Sequence, residues 1–193
     1  MAKKNRQAQR EQERARHARQ RRLVDLGVGI VAAIAIIGAG VLAFSPKPVA
    51  SSQVAFGTCS AIETPPDGGR DHLLPGQTPS YSSNPPASGA HNPNPQPNGI
   101  YDSPIDVTME VHSLEHGYVI IHYNGIPSDQ LQVLKEIVSR DPRKMILSPN
   151  PSMPYKISLT AWDHLQTCTG VSTQDISSFV AEFRDQGPES TPF

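Results

Sequence analysis

Five of the seven histidines in this 193-residue chain, His72, His91, His112, His116 and His122, fall within fifty-one positions. Imidazole nitrogens ligate Zn²⁺ and Cu²⁺ and pair with carboxylates, so this density raises metal chemistry first. The tightest arrangement is His112-Ser113-Leu114-Glu115-His116, the H-x-x-E-H spacing of inverted zinc peptidases. That spacing works on a helix, where residues four apart share a face. Here Val111 precedes the run, and Gly117 and a strand-like stretch follow it. On one straight strand His112 and His116 would stand about 13 Å apart, at about 3.3 Å per residue. Bonds of about 2.0–2.1 Å to one ion cannot span that. A shared ion therefore demands a turn between Ser113 and Gly117. A metal-dependent hydrolase with Glu115 as base is accordingly the weakest of three readings, and no catalytic residue is assigned.

The first reading is a metal site made by His112 and His116 on such a turn, joined by His91 from the Ser88-Gly89 loop and by His72. Glu115 would orient an imidazole or be a ligand itself, and Met109 is a soft donor if the ion is copper. The second reading is structural: the same histidines and Glu115 hydrogen-bond an irregular, Pro-rich segment onto the domain, because irregular backbone needs polar partners when buried. Residue types alone leave both open. No Gly-x-Ser-x-Gly elbow, phosphate loop, dinucleotide fingerprint or C-x-x-C pair occurs, so nucleotides and Cys-based zinc or redox motifs are not expected.

The elements that must position these residues begin with a charge division. Residues 1–22 carry nine Lys/Arg against two Glu, residues 45–193 carry eight against fifteen Asp/Glu, and the total of −1 is a cancellation. Between them Leu26–Phe44 is a run of nineteen residues with no charged or strongly polar side chain. At about 1.5 Å per residue it crosses most of a bilayer core of about 30 Å. It is longer than a signal-peptide core and ends in a poor cleavage site, so a retained transmembrane helix over 23–44 is expected. Basic flanks stay inside, which places the N-terminus in the cytoplasm and the C-terminal domain outside the cell membrane. The basic tail is then a topology signal touching anionic lipid, in preference to a nucleic-acid arm. An outer compartment permits a Cys59–Cys168 disulfide, with two free thiols as the alternative.

Beyond a tether at 45–58, the extracytoplasmic domain spans 59–190. Its first part, 62–104, holds ten Pro. His72, Leu73, Leu74, Tyr81, His91 and Tyr101 are unlike a flexible spacer, and an ordered irregular segment is expected. The globular part, 105–190, reads as two extended stretches over Val107–Tyr123, a helix opening at Pro127-Ser128 and ending at Asp141-Pro142, strands at Lys144–Ser148 and Lys156–Trp162, and a last helix from Ser172 that buries Ile176, Phe179 and Phe183. The fold class is α+β (mixed α/β), with about four strands and two helices. An alternative function is an interaction or structural protein whose acidic outer part meets another envelope protein.

Tyr81-x-Ser83-Asn84-Pro85-Pro86-x-Ser88-Gly89-x-His91 resembles the signature of the domain of unknown function 3105 family, found mainly in bacterial membrane-anchored proteins. The resemblance runs on through Gly69-Arg70-x-His72, His112-x-Leu114-Glu115-His116-Gly117, Tyr123-Asn124, Ala161-Trp162, Phe183-Arg184 and Gly187-Pro188-Glu189, over roughly residues 55–190. It implies a family without an established activity, so the chemistry rests on the residues.

Overall fold

The computed structural model describes residues 54–189 and Thr191. The basic tail, His17 and the span expected at 23–44 lie outside the described residues. Among the described residues no helix is long and apolar enough to cross a membrane.

The elements are β1 (Gly99–Ile100), α1 (Val107–Glu115), β2 (Val119–Tyr123), α2 (Ser128–Arg140), β3 (Met145–Pro149), β4 (Ile157–Ala161), β5 (His164–Cys168) and α3 (Thr173–Phe183). The strands form one mixed sheet in the order β1-β3-β2-β4-β5. β1, β3 and β2 run parallel, and β4 and β5 add on antiparallel. The β2–α2–β3 unit is a parallel crossover, which needs a helix to return the chain to the same end of the sheet. The class is α+β as expected, but the described residues hold five strands and three helices, not four and two.

Three elements account for the difference. β1 is two residues within the Pro-rich part, too short to show a period. β5 follows β4 after only Trp162 and Asp163, with no Gly or Pro to mark the turn. The third difference matters for chemistry: Val107–Glu115 is a helix, not a strand. Asp106 caps it, its carboxylate accepting from the Thr108 N–H at 2.9 Å and the Thr108 hydroxyl at 2.7 Å. It ends in a Schellman arrangement, with Tyr118 N–H donating to Ser113 O and Gly117 N–H to Leu114 O. Gly117 supplies the left-handed residue this closure needs, at φ 78°. Every residue from Glu110 to Glu115 is buried, so α1 has no solvent-facing polar stripe and its β-branched residues mimic a strand.

The sheet separates two apolar layers. On one face Val119, Ile121, Leu147 and Leu159 pack with Leu134 and Val138 of α2 and Ile176 and Phe179 of α3. On the other Ile120 and Ile146 pack with Val111 and Leu114 of α1 and with Trp162. Val111 and Leu114 are three apart and therefore share a side of the helix. This second layer fixes how α1 lies and hence where its histidines stand.

The irregular chain is tied down at both ends. Ala55, Cys59 and Glu63 make antiparallel bridges to Ser172, Cys168 and Leu165, and Cys59 and Cys168 are disulfide-bonded, 109 positions apart. Farther on, His72 bridges His91, with Leu73 N–H donating to His91 O at 2.7 Å and His91 N–H to Asp71 O at 3.0 Å.

Candidate metal centre

The helix over 107–115 puts His112 and His116 one turn apart, and their Nε2 atoms are 3.0 Å from each other. The separation of about 13 Å for a straight strand is thereby replaced by direct contact, and no extra turn is required. The irregular segment supplies the remaining rings. His72 lies 5.1 Å from both His91 and His112 between ring centroids, and His91 lies 4.8 Å from His112. Trp162 walls the group, set edge-on to His91 at 6.4 Å.

Hydrogen bonds fix which nitrogens face inward. His91 Nδ1 is 2.8 Å from Gly89 O, and His112 Nδ1 is 2.6 Å from Asn92 O. A carbonyl only accepts, so both Nδ1 atoms carry the proton and both Nε2 atoms present lone pairs in the neutral rings. His91 Nε2 is 3.1 Å from Glu115 Oε2. It is fully buried, yet it has no hydrogen-bond partner there. The Nε2 axis misses the carboxylate oxygen, and the two buried polar atoms stand side by side at contact distance with no hydrogen bond between them. Buried polar atoms in native folds are nearly always satisfied, so this arrangement calls for a proton or a cation between the two.

Two overlapping sets of donors result: His72, His91, His112 and Glu115, and His112, Glu115, His116 and Glu189. Within each set the ligand atoms lie within 4.8 Å of one another. All four histidines read from the sequence are therefore brought together. Glu115 faces the inward nitrogen of His91, which makes it a donor in the set; the atoms that orient the rings are the Gly89 and Asn92 carbonyls. Burial, with the neighbouring rings of His116, His91 and His72, lowers the pKa of His112 and favours its neutral form despite the Asn92 bond. A ligating imidazole must be neutral, so these surroundings match what an ion requires. Met109 stands one turn before His112, and its carbonyl accepts from Gln96 N–H and the Ser113 hydroxyl.

Glu189 is the residue that spacing did not single out. It lies beyond α3, where the chain turns back across α1: Asp185 N–H donates to Gly117 O at 2.9 Å and Glu189 N–H to Glu115 O at 3.0 Å. Lys144, itself buried, donates to His116 O at 2.9 Å and pairs with Asp185 at 3.1 Å. This strap brings Glu189 Oε2 to 3.3 Å from His116 Nε2. The only hint in the sequence was Gly187-Pro188-Glu189 at the end of the resemblance.

His122 does not join the cluster. It is buried on β2 beside Glu110, Nδ1 to Oε1 3.8 Å, and neither atom has a hydrogen bond. Burial drives His122 down to about 3 and Glu110 up to about 8, so both are neutral at pH 7. Glu110 lies about 200° around α1 from His112, at 3.6 residues per turn. There it and Ser148 line a separate cleft of about 420 Å³. His164 stacks on Phe183 at 4.1 Å, apart from both groups.

A family model described as a protein of unknown function, DUF3105, matches residues 72–192, a stretch that contains every residue of both donor sets. No curated protein and no solved structure matches the chain.

Proposed function

The chain belongs to the DUF3105 family, and from that premise we propose that it is a single-span membrane protein whose outer domain binds a divalent transition metal, Zn²⁺ or Cu²⁺, through its histidine cluster. The observation that carries this reading is the pairing of His91 Nε2 with Glu115 Oε2. His91 Nδ1–H is held by Gly89 O, and its buried Nε2 stands 3.1 Å from the carboxylate oxygen without a hydrogen bond. A purely structural network alternates donors with acceptors; that alternation holds in the His112–His116 hydrogen bond and breaks down at His91 Nε2. Converging nitrogens, with His91 and His112 braced through their far nitrogens by the Gly89 and Asn92 carbonyls, are the arrangement that orients ligands around a metal. Nitrogen with carboxylate oxygen suits both ions. The ligands would be drawn from His72, His91, His112, His116 and Glu115, and a bound ion would supply Lewis acidity where a coordination position stays open to solvent.

The membrane part of the proposal rests on the apolar run at 26–44 and on the nine basic residues before it. It places the cluster in the envelope, where the ion would be met outside the cytoplasm. The test uses the full-length chain, purified in detergent, stripped with chelator and dialysed against Zn²⁺ or Cu²⁺ in turn. Bound metal measured by mass spectrometry is expected in at least stoichiometric amount, and the His91→Gln, His112→Gln double variant is expected to lose it. Failure to retain either ion at micromolar free concentration would overturn the proposal.

A further inference from the structure

We infer that the cluster holds two divalent ions side by side: one on His72 and His91, the other on His112, His116 and Glu189, with Glu115 bridging both. The inference rests on the metal-binding reading above and extends it. Its starting point is that the donors form two overlapping sets and not one compact group. With bonds of about 2.0–2.2 Å, two ligands of a single ion cannot be more than about 4.4 Å apart. Each set, with its atoms within 4.8 Å of one another, needs to close by only a few tenths of an ångström to meet that limit. Joining both sets on one ion would require all six side chains to close on a single point.

The shared residues decide how the donors divide. His112 has one nitrogen to give, since its Nδ1–H is held by Asn92 O. Its Nε2 is 3.0 Å from His116 Nε2, the separation of two neighbouring ligands on one ion with bonds of about 2.1 Å at right angles. His112 and His116 thus belong together. Glu189 Oε2, 3.3 Å from His116 Nε2, joins them at a similar spacing. Glu115 is the other shared residue, and it has two oxygens. Oε2 faces His91, which leaves the second oxygen for the neighbouring ion. Bridging carboxylates of this kind hold two ions about 3.5–4 Å apart in dinuclear centres. Each ion then has three or four protein ligands and retains positions for water or another small oxygen ligand.

The strap gives the second position independent support. Its backbone is locked to the end of α1 by the Asp185–Gly117 and Glu189–Glu115 hydrogen bonds, and buried Lys144 fastens it beneath. Gly187 passes so close that a β-carbon there would collide with Glu115 O and Gly117 N. That much construction places a carboxylate, half-exposed by itself, against an imidazole at the edge of a metal set.

The deciding measurement is stoichiometry in the full-length chain in detergent, loaded with Zn²⁺ by equilibrium dialysis and counted by mass spectrometry. Two ions per chain are expected in the wild type and one in Glu189→Gln, a substitution at an exposed side chain, with folding checked by circular dichroism. A Cu²⁺-loaded sample should show a spin-coupled resonance that reverts to an isolated signal in Glu189→Gln. One ion in the wild type, unchanged by the substitution, would overturn the dinuclear inference and leave the metal-binding proposal intact. No ion in either protein would overturn the proposal itself. Two ions in both proteins would remove Glu189 from the second position.

Discussion

Gly187 crosses the end of α1 directly against the backbone of Glu115, with no room for a side chain between them. The contact is what lets the strap after α3 reach His116, because Glu189 N–H can donate to Glu115 O only if residue 187 clears it. Gly187→Ala would force the strap away. Overpacking of this kind costs about 1–3 kcal/mol, and that loss is expected in urea denaturation of the full-length chain. Glu189 should move with the strap. Unchanged stability would mean that the strap is free to lift and that the close approach has no structural role.

His122 and Glu110 predict the shape of the stability–pH curve. His122 has a folded pKa of about 3 against 6.5 unfolded, so the unfolded chain takes up a proton that the folded one refuses. Stability is complete above pH 6.5 and is lost as pH falls through that window. Glu110 goes the other way, about 8 folded against 4.5 unfolded, so its contribution is complete below pH 4.5 and is lost as pH rises toward 8. Each slope approaches about 1.4 kcal/mol per pH unit. Between pH 4.5 and 6.5 the two oppose each other and the pair leaves the curve nearly flat. Glu110→Gln should remove the decline between pH 6.5 and 8, and His122→Gln should remove the decline below pH 4.5. Parallel curves for wild type and both variants would contradict the buried, neutral state of the pair.

What the sequence made legible follows from where each signal resides. α2 and α3 were readable because each has a solvent face, so Leu134 with Val138 and Ile176 with Phe179 stand out against polar neighbours. α1 was not, because six consecutive residues are buried and the contrast that reveals a helix is missing. The difference has a chemical consequence: an extended chain here separates His112 from His116, whereas the helix with His116 at its C-cap joins them. His72 and His91 could be named by residue type, but their meeting with α1 depends on a bridge between two irregular segments that carries no periodic signal. Glu189 was illegible for the same reason, since a strap is positioned by single hydrogen bonds. The carbonyls of Gly89 and Asn92, which set the ring orientations, are backbone groups and have no sequence signature.

The disulfide fastens a largely exposed segment to the core, since Cys168 is buried in it and half-buried Cys59 packs against it. It closes a loop between positions 59 and 168, and the entropy model assigns about 4–5 kcal/mol to a loop of roughly a hundred residues. The segment it holds also makes six backbone hydrogen bonds to residues 165–173, among them Phe56 N–H to Val171 O, Ser60 N–H to Thr167 O and Glu63 N–H to Leu165 O. The Cys59→Ser, Cys168→Ser double variant is expected to lose about 2–5 kcal/mol. It should also expose 54–63 to protease while β2, β3 and β4 remain protected in hydrogen exchange. Equal protease resistance before and after reduction would show that the backbone bonds suffice.

The same bridge bears on topology. Thiols stay reduced in most cytosols, so a structural disulfide and a cytoplasmic domain are poor companions. The charge division agrees: nine basic residues precede the apolar run at 26–44, and Lys47 is the one that follows it closely. A reporter enzyme active only after export, fused at Phe193, should therefore be active in cells, and one active only in the cytosol should be silent. Replacing the nine Lys/Arg of residues 1–22 with Gln removes the retention signal, and export of the C-terminal reporter should fall. Thiol alkylation of intact cells reports on the same point without a fusion, since Cys59 and Cys168 should resist the reagent until a reductant is added. A cytosolic reporter that lights up, together with freely alkylated cysteines, would place the domain inside and end the proposal that the histidine cluster meets its metal in the envelope.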